Sequence, residues 1–238
     1  TLSLLLVATT IVSGATFAAQ TLYKDYPADV MPELSESGEF PVGVTTMEVT
    51  YPEAAMTMEG KMETRGLTLE VWYPAQKATE NTLYSDETRS GQVFEIQADA
   101  SRDVAIAESE SKFPIVVVSH GYTGYRTLMY YLGEHLASHG YVVAAIDHTD
   151  STNKDVNFAE NPYSGFPSTL LNRSRDQVFT LNAVTDSEFF NASVDATKAG
   201  VIGYSMGGFG AVSTVGGCYA FNDEAAATFT GTKAVSYK

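Results

Sequence analysis

Glycine and serine at fixed places in one short run restrict this chain more than anything else in it. Ala199 to Ile202 is a short apolar strand candidate that runs straight into Gly203-Tyr-Ser-Met-Gly207, and Gly208-Phe-Gly-Ala-Val continues as a helix start. Gly-x-Ser-x-Gly alone is a weak pattern, and the strand-turn-helix context is what makes it specific. A serine on so tight a turn takes strained dihedrals, and its Oγ projects above the sheet. A side chain at Gly203 or Gly207 would collide with the neighbouring backbone. The helix start behind Ser205 offers free N–H groups and the positive end of a dipole. Both favour the oxyanion that forms when a carbonyl is attacked. The run therefore predicts Ser205 as a nucleophile and the N–H of Met206 as an oxyanion donor.

The rest of the chain supplies a frame for such a turn. Its 238 residues, 44% of them hydrophobic, suit one α/β domain with a sizeable core. Ile115 to Val118 is a continuous apolar run, as a strand buried on both faces requires, and Tyr141 to Ile146 is a second. Between them, Arg126 to Ser138 carries Leu128, Tyr131, Leu132, His135 and Leu136 at helical spacing, and Gly140 ends it as a C-cap. A helix capped by Ser168 runs to about Val184, with Leu171, Val178 and Leu181 on its inner face. Upstream, Val42 to Val49 reads as an edge strand and Leu67 to Tyr73 as a second, with Tyr51 to Gly66 a long turn or hairpin arm between them. Gln76 to Lys112 is polar and reads as surface excursions with short helical pieces. A last strand begins near Lys233. Alternating buried strands and helices predict a mostly parallel sheet covered on both faces, with function at the C-terminal ends of the strands.

A second oxyanion donor should come from the loop after the strand Ile115 to Ser119. His120-Gly121-Tyr122 fits: Gly121 lets the backbone turn so that the N–H of Tyr122 faces Ser205, and the Tyr122 ring could flank the acyl group. His120 reads as a loop histidine bonded to backbone, and His148 as lining a pocket rim or bonded to backbone.

Phe113-Pro-Ile-Val-Val-Val-Ser-His-Gly-Tyr122 through Leu136-Ala-Ser-His-Gly-Tyr-Val-Val-Ala-Ala-Ile-Asp-His148 resembles the platelet-activating-factor acetylhydrolase family. It is also similar to bacterial dienelactone-hydrolase-like and polyester-hydrolase (cutinase) relatives. Val71-Trp-Tyr-Pro74 and Pro41-Val-Gly43 look like their entry strands, and Arg173-Ser-Arg-Asp-Gln177 like a following helix. The resemblance covers about residues 41–210 and implies an α/β-hydrolase fold. It implies carboxylic-ester hydrolysis through an acyl-enzyme on Ser205, an oxyanion hole from the N–H groups of Tyr122 and Met206, and no metal or organic cofactor. The substrate is expected to be a small-molecule, lipid or polymer ester. A dienelactone-type hydrolase and a non-catalytic binding protein on the same fold are the alternatives.

A serine needs a base, and in this fold the acid and then the histidine follow it. His120, His135, His139 and His148 all precede Ser205. Asp223 follows, but a helix from Met206 to about Gly217 descends roughly 18 Å to the opposite edge of the sheet, which argues against it. The triad acid and histidine are therefore expected downstream of Lys238. The chain is expected to stop before the last strands of the fold and to be inactive alone.

Residues 1–19, with the apolar run Leu2 to Val12 followed by small residues, read as an incomplete signal peptide of a secreted or periplasmic protein. Residues 20–40 read as an irregular lead-in and 41–238 as the hydrolase domain. The lone Cys218 reads as a packing residue, and the sequons at Asn172 and Asn191 as chance matches. The run at the start is too short for a membrane span. A net charge of −15 disfavours nucleic acid as a partner.

Overall fold

A computed structural model describes residues 35–57, 59–88 and 90–217. The chain divides into Thr1–Ser35 and Glu36–Lys238. The expected leader, Cys218, Asp223 and the strand expected near Lys233 lie outside the described residues. The second unit is built on a seven-stranded sheet: β1 (Val42–Met56), β2 (Met62–Pro74), β3 (Asn81–Glu87), β4 (Val93–Arg102), β5 (Phe113–Ser119), β6 (Val142–Asp147) and β7 (Val194–Gly203). Their spatial order is β3-β4-β1-β2-β6-β5-β7. β5 pairs in parallel with both β6 and β7, while β2 runs antiparallel to both β1 and β6. Among the described residues three helices alternate with the later strands, α1 (Tyr130–Ser138) after β5, α2 (Phe166–Asp186) after β6 and α3 (Met206–Thr214) after β7.

The buried apolar runs become the centre of the sheet. Ile115, Val117, Val142, Ala144 and Ile146 pack on one face with Val184 of α2 and Phe190. Val116, Val118, Val143 and Ala145 pack on the other with Ala137 of α1. Consecutive side chains point to opposite faces, so a strand covered by helices on both sides must be apolar at every position. Helices on both faces of a largely parallel centre bear out the α/β-hydrolase frame.

Three expectations change. Residues 76–112 form a hairpin, β3–β4, and not short helical pieces. Its inward side chains Tyr84, Ala98 and Ala100 join the core, and Trp72 Nε1 donates to Tyr84 Oη at 2.8 Å. β1 is therefore not an edge strand, because it pairs with β4 beyond it. α1 begins at Tyr130, and Tyr131 stays half exposed while Gly133 and Ala137 face inward. Gly140 does end it, at φ +90, with Tyr141 N donating to Leu136 O.

α2 departs furthest from its pattern. It starts at Phe166 behind Gly165, with Pro167 in its first turn, so Ser168 is not its cap. Val178 is 44% exposed. The buried stripe is Thr169, Asn172, Arg173, Asp176, Gln177, Thr180 and Val184. The spacing is helical, but polar side chains occupy it, because most of this helix covers hydrogen-bonding loops at the sheet's C-terminal edge.

Candidate active site

β7 ends at Gly203 and α3 begins at Met206, leaving Ser205 on the turn between them. Ser205 takes φ 50° and ψ −114°, a region that L-residues rarely enter. It is exposed. The two glycines are needed for contact and not for unusual φ. A Cβ at Gly203 would lie 2.3 Å from the backbone of Gly207, and a Cβ at Gly207 would lie 2.0 Å from Ser119 O. Tyr204 N donates to Ser119 O at 3.0 Å, and Gln177 Nε2 to Gly207 O at 3.0 Å, so the turn is pinned from β5 and from α2.

The loop after β5 lies against the serine. A Cβ at Gly121 would come within 3.1 Å of Ser205 Cβ. Among the described residues neither the N–H of Tyr122 nor that of Met206 donates a hydrogen bond. Thr123 N donates to Ser151 O at 2.7 Å and Asn153 N to Gly124 O at 3.3 Å, which hold this loop to the one after β6. The Tyr122 ring is committed elsewhere: its hydroxyl accepts from Gly165 N at 3.2 Å, and the ring meets Phe166 edge-on at 5.6 Å.

Beneath the elbow lies a buried polar chain. His148 is 1% exposed, not at a pocket rim as expected. Its Nε2 lies 2.8 Å from Ser119 Oγ and its Nδ1 2.7 Å from Asp176 Oδ2. Arg65 grips Asp176 with two nitrogens, at 2.6 and 2.9 Å, and reaches Asp150 at 3.1 Å. His120 is bonded to backbone as expected, through Nδ1 and Gly121 O at 2.5 Å, and its Nε2 accepts from His148 N at 3.3 Å.

Burial pushes both imidazoles well below their ordinary pKa, and so does the positive charge of Arg173. Arg173 is itself pushed down to about 10, by burial first. Its Nη2 donates to Ser151 Oγ at 2.9 Å, and its Nε and Nη1 find no acceptor among the described residues. Ser119, His148 and Asp176 thus form a Ser-His-Asp chain, but Ser119 has no exposed surface. A buried hydroxyl cannot meet a substrate, so this chain is scaffolding.

Neither buried histidine is free to serve Ser205. His135 and His139 sit at the end of α1, on the opposite edge of the sheet. No group of His, Cys, Asp and Glu among the described residues is arranged to hold a metal ion. The sequon at Asn172 is buried, with its side chain bonded to both Met56 N and Met56 O.

A cleft of ≈ 300 Å³ opens beside the elbow, lined by Gly121 to Tyr125, Leu128, Asn153 and Tyr204, and by Glu87, Thr88 and Phe94 of the hairpin. The reading from sequence missed this contribution of residues 76–112. The signal was present, since Val93-Phe-Glu-Ile-Gln-Ala-Asp-Ala100 alternates at period two.

Comparison with known proteins agrees with the fold. Residues 105–219 match the family model described as PET hydrolase-like. A cutinase, est1, of Thermobifida alba is 30% identical over 152 residues, which cover 58% of this chain and 45% of that protein. Platelet-activating factor acetylhydrolase of Canis lupus familiaris is 49% identical over 41 residues, covering 17% of this chain and 9% of that protein. The chain thus spans less than half the length of either relative. A solved ferulic acid esterase from Streptomyces cinnamoneus superposes with a TM-score of 0.58 at 23% identity, over 76% of this chain and 57% of that one. By fold the chain is an α/β-hydrolase, and in sequence it is similar to cutinases of the polyester-hydrolase branch and to platelet-activating-factor acetylhydrolases.

Proposed function

We propose that this chain carries the nucleophile and oxyanion hole of a serine carboxylic-ester hydrolase. The observation that carries the reading is Ser205 itself. It is an exposed residue on a strained turn at a helix start, with N–H groups at Met206 and at Tyr122 in the facing loop that donate no hydrogen bond among the described residues. Ser205 Oγ adds to the ester carbonyl as its proton passes to a base. The carbonyl oxygen, now negative, accepts from the two N–H groups. Collapse expels the alcohol and leaves an acyl-serine, which water hydrolyses.

None of the four histidines is placed to take the proton, so a histidine and its acid partner are assigned to chain beyond residues 35–217. It follows that a polypeptide of the described residues alone is inactive. The names of the matching family and of the cutinase support a small-molecule or polymer ester as substrate. The apolar run at residues 2–12 supports export. No helix among the described residues is long and apolar enough to cross a membrane.

A fluorophosphonate probe tests the assignment. It should label full-length protein at Ser205, and Ser205→Ala should abolish both labelling and p-nitrophenyl acetate turnover. A full-length protein that is folded but takes no label would be a binding protein on this fold. Faster turnover of a dienelactone than of p-nitrophenyl acetate would move the reading to the lactone hydrolases.

A further inference from the structure

The hairpin β3–β4 is an addition to the sheet that the elbow does not require, yet its tip ends at the elbow. β4 shares only two paired positions with β1, Gly43↔Ser101 and Val44↔Arg102. The pairing that fixes the hairpin is internal, between β3 and β4. Its far end is tied down separately, by side chains from the loops that form the site. Asn153 Nδ2 donates to Glu87 O at 2.5 Å, Thr127 Oγ1 to Asp86 Oδ2 at 3.4 Å, and Lys154 Nζ lies 3.3 Å from Asp86 Oδ1. These ties come from both sides of the oxyanion loop. They hold Phe94 against Tyr125, ring centroids 6.4 Å apart.

We propose that this hairpin is the specificity wall of the site: Phe94 and Tyr125, with Leu128 and Tyr204, form a cleft that takes an uncharged, ring-sized half of the ester. The inference rests on the serine-hydrolase reading of Ser205 and adds to it the element that selects the substrate. Size, polarity and charge each contribute. A volume of ≈ 300 Å³ lies at the small end of ligand sites. Phe94, Tyr125 and Tyr204 line it with Leu128, and rings meet a flat group through offset and edge contacts. Among the described residues the lining contains no lysine or arginine, and Glu87 is its one carboxylic acid. A carboxylate entering there would be desolvated beside a like charge, whereas a neutral ring would not.

The test compares substrates that differ by one ring, in two series. In the first, p-nitrophenyl benzoate is compared with p-nitrophenyl acetate, which varies the acyl half. In the second, phenyl acetate is compared with methyl acetate, which varies the alcohol half. In full-length Phe94→Ala, the kcat/KM preference for the ring should fall about tenfold in one series, the size expected for one lost ring contact in an apolar pocket. Phe94→Trp guards against a folding defect, since it keeps a ring and should retain a preference while shifting it toward smaller groups. Glu87→Gln supplies a charge readout: kcat/KM for an ester bearing a free carboxylate should rise several-fold relative to its neutral methyl ester.

Unchanged ratios in both series, in variants that still take the phosphonate at Ser205, would overturn the specificity wall and leave the serine assignment standing. Loss of labelling in the unsubstituted protein would instead remove the assignment on which the wall depends.

Discussion

Asp176 holds together four groups that the elbow depends on. It accepts from Arg65 twice and faces His148, which in turn reaches Ser119, the residue whose carbonyl receives Tyr204 N. Such a chain is satisfied only while both imidazoles stay neutral. His120 and His148 are pushed well below their ordinary pKa in the fold, yet titrate near 6.5 when unfolded. As pH falls below that value, the unfolded chain takes up protons that the folded chain refuses. Stability is therefore full above about pH 7 and declines toward pH 5, by up to about 1.4 kcal/mol per pH unit for each histidine. Asp147, Glu134 and Asp176, whose carboxyls burial pushes up, work in the opposite sense, each between its ordinary and its raised value. Urea midpoints measured at pH 7, 6 and 5 should fall in that order, and His148→Gln should flatten the trend. A level midpoint across this window in the unsubstituted protein would contradict the burial of neutral histidines.

Helix α1 shows how packing overrules propensity. Gly133 lies mid-helix, where glycine costs about 1 kcal/mol relative to alanine. A Cβ there would meet the Trp72 ring at 2.5 Å, and Trp72 is itself fixed by its bond to Tyr84 Oη. Gly133→Ala is expected to lower stability by about 1–3 kcal/mol, the cost of overpacking, and not to raise it as helix propensity alone would have it. Thermal unfolding of the variant distinguishes the two signs. In α2 the length and period read from sequence hold, and of the expected inward residues Leu171, Val178 and Leu181 the last packs against the core, while Val178 is exposed and Asn172, Arg173, Asp176 and Gln177 are buried. Hydrophobic periodicity cannot identify a buried face made of polar side chains, because their partners come from distant loops. Arg65 and His148, which pair with Asp176, lie 111 and 28 residues away.

Among the described residues the sheet taken as a whole ends in β3 on one side and in β7 on the other. The hairpin covers the flank beyond β1, while β7 is an edge among the described residues, with residues 196–200 exposed. Beside it Ile202, Val212 and Val215 are 37%, 61% and 75% exposed. Unpaired strand donors next to apolar surface invite a second chain. A polypeptide of residues 36–217 alone is expected to self-associate and to elute from a sizing column ahead of a monomer of its own mass. Elution as a monomer would show that the net negative charge of this polypeptide outweighs the open edge.

The elbow was legible before any coordinates, because its constraints are local. A serine between two glycines, after a strand and before a helix, leaves the backbone few conformations, and Ser205 takes φ 50° in the one that bares its hydroxyl. The central strands were equally plain, since a strand covered on both faces has to be apolar throughout. Distant pairings were not legible. Period two marks Phe94 and Ile96 as one face of a strand, yet nothing in the order of residues says that the hairpin's tip will meet Tyr125 and Asn153. Nor does it say that His148 will turn down to Asp176 and away from solvent. Those outcomes depend on which loops the sheet order brings to one edge, and on buried polar groups finding partners wherever the fold supplies them.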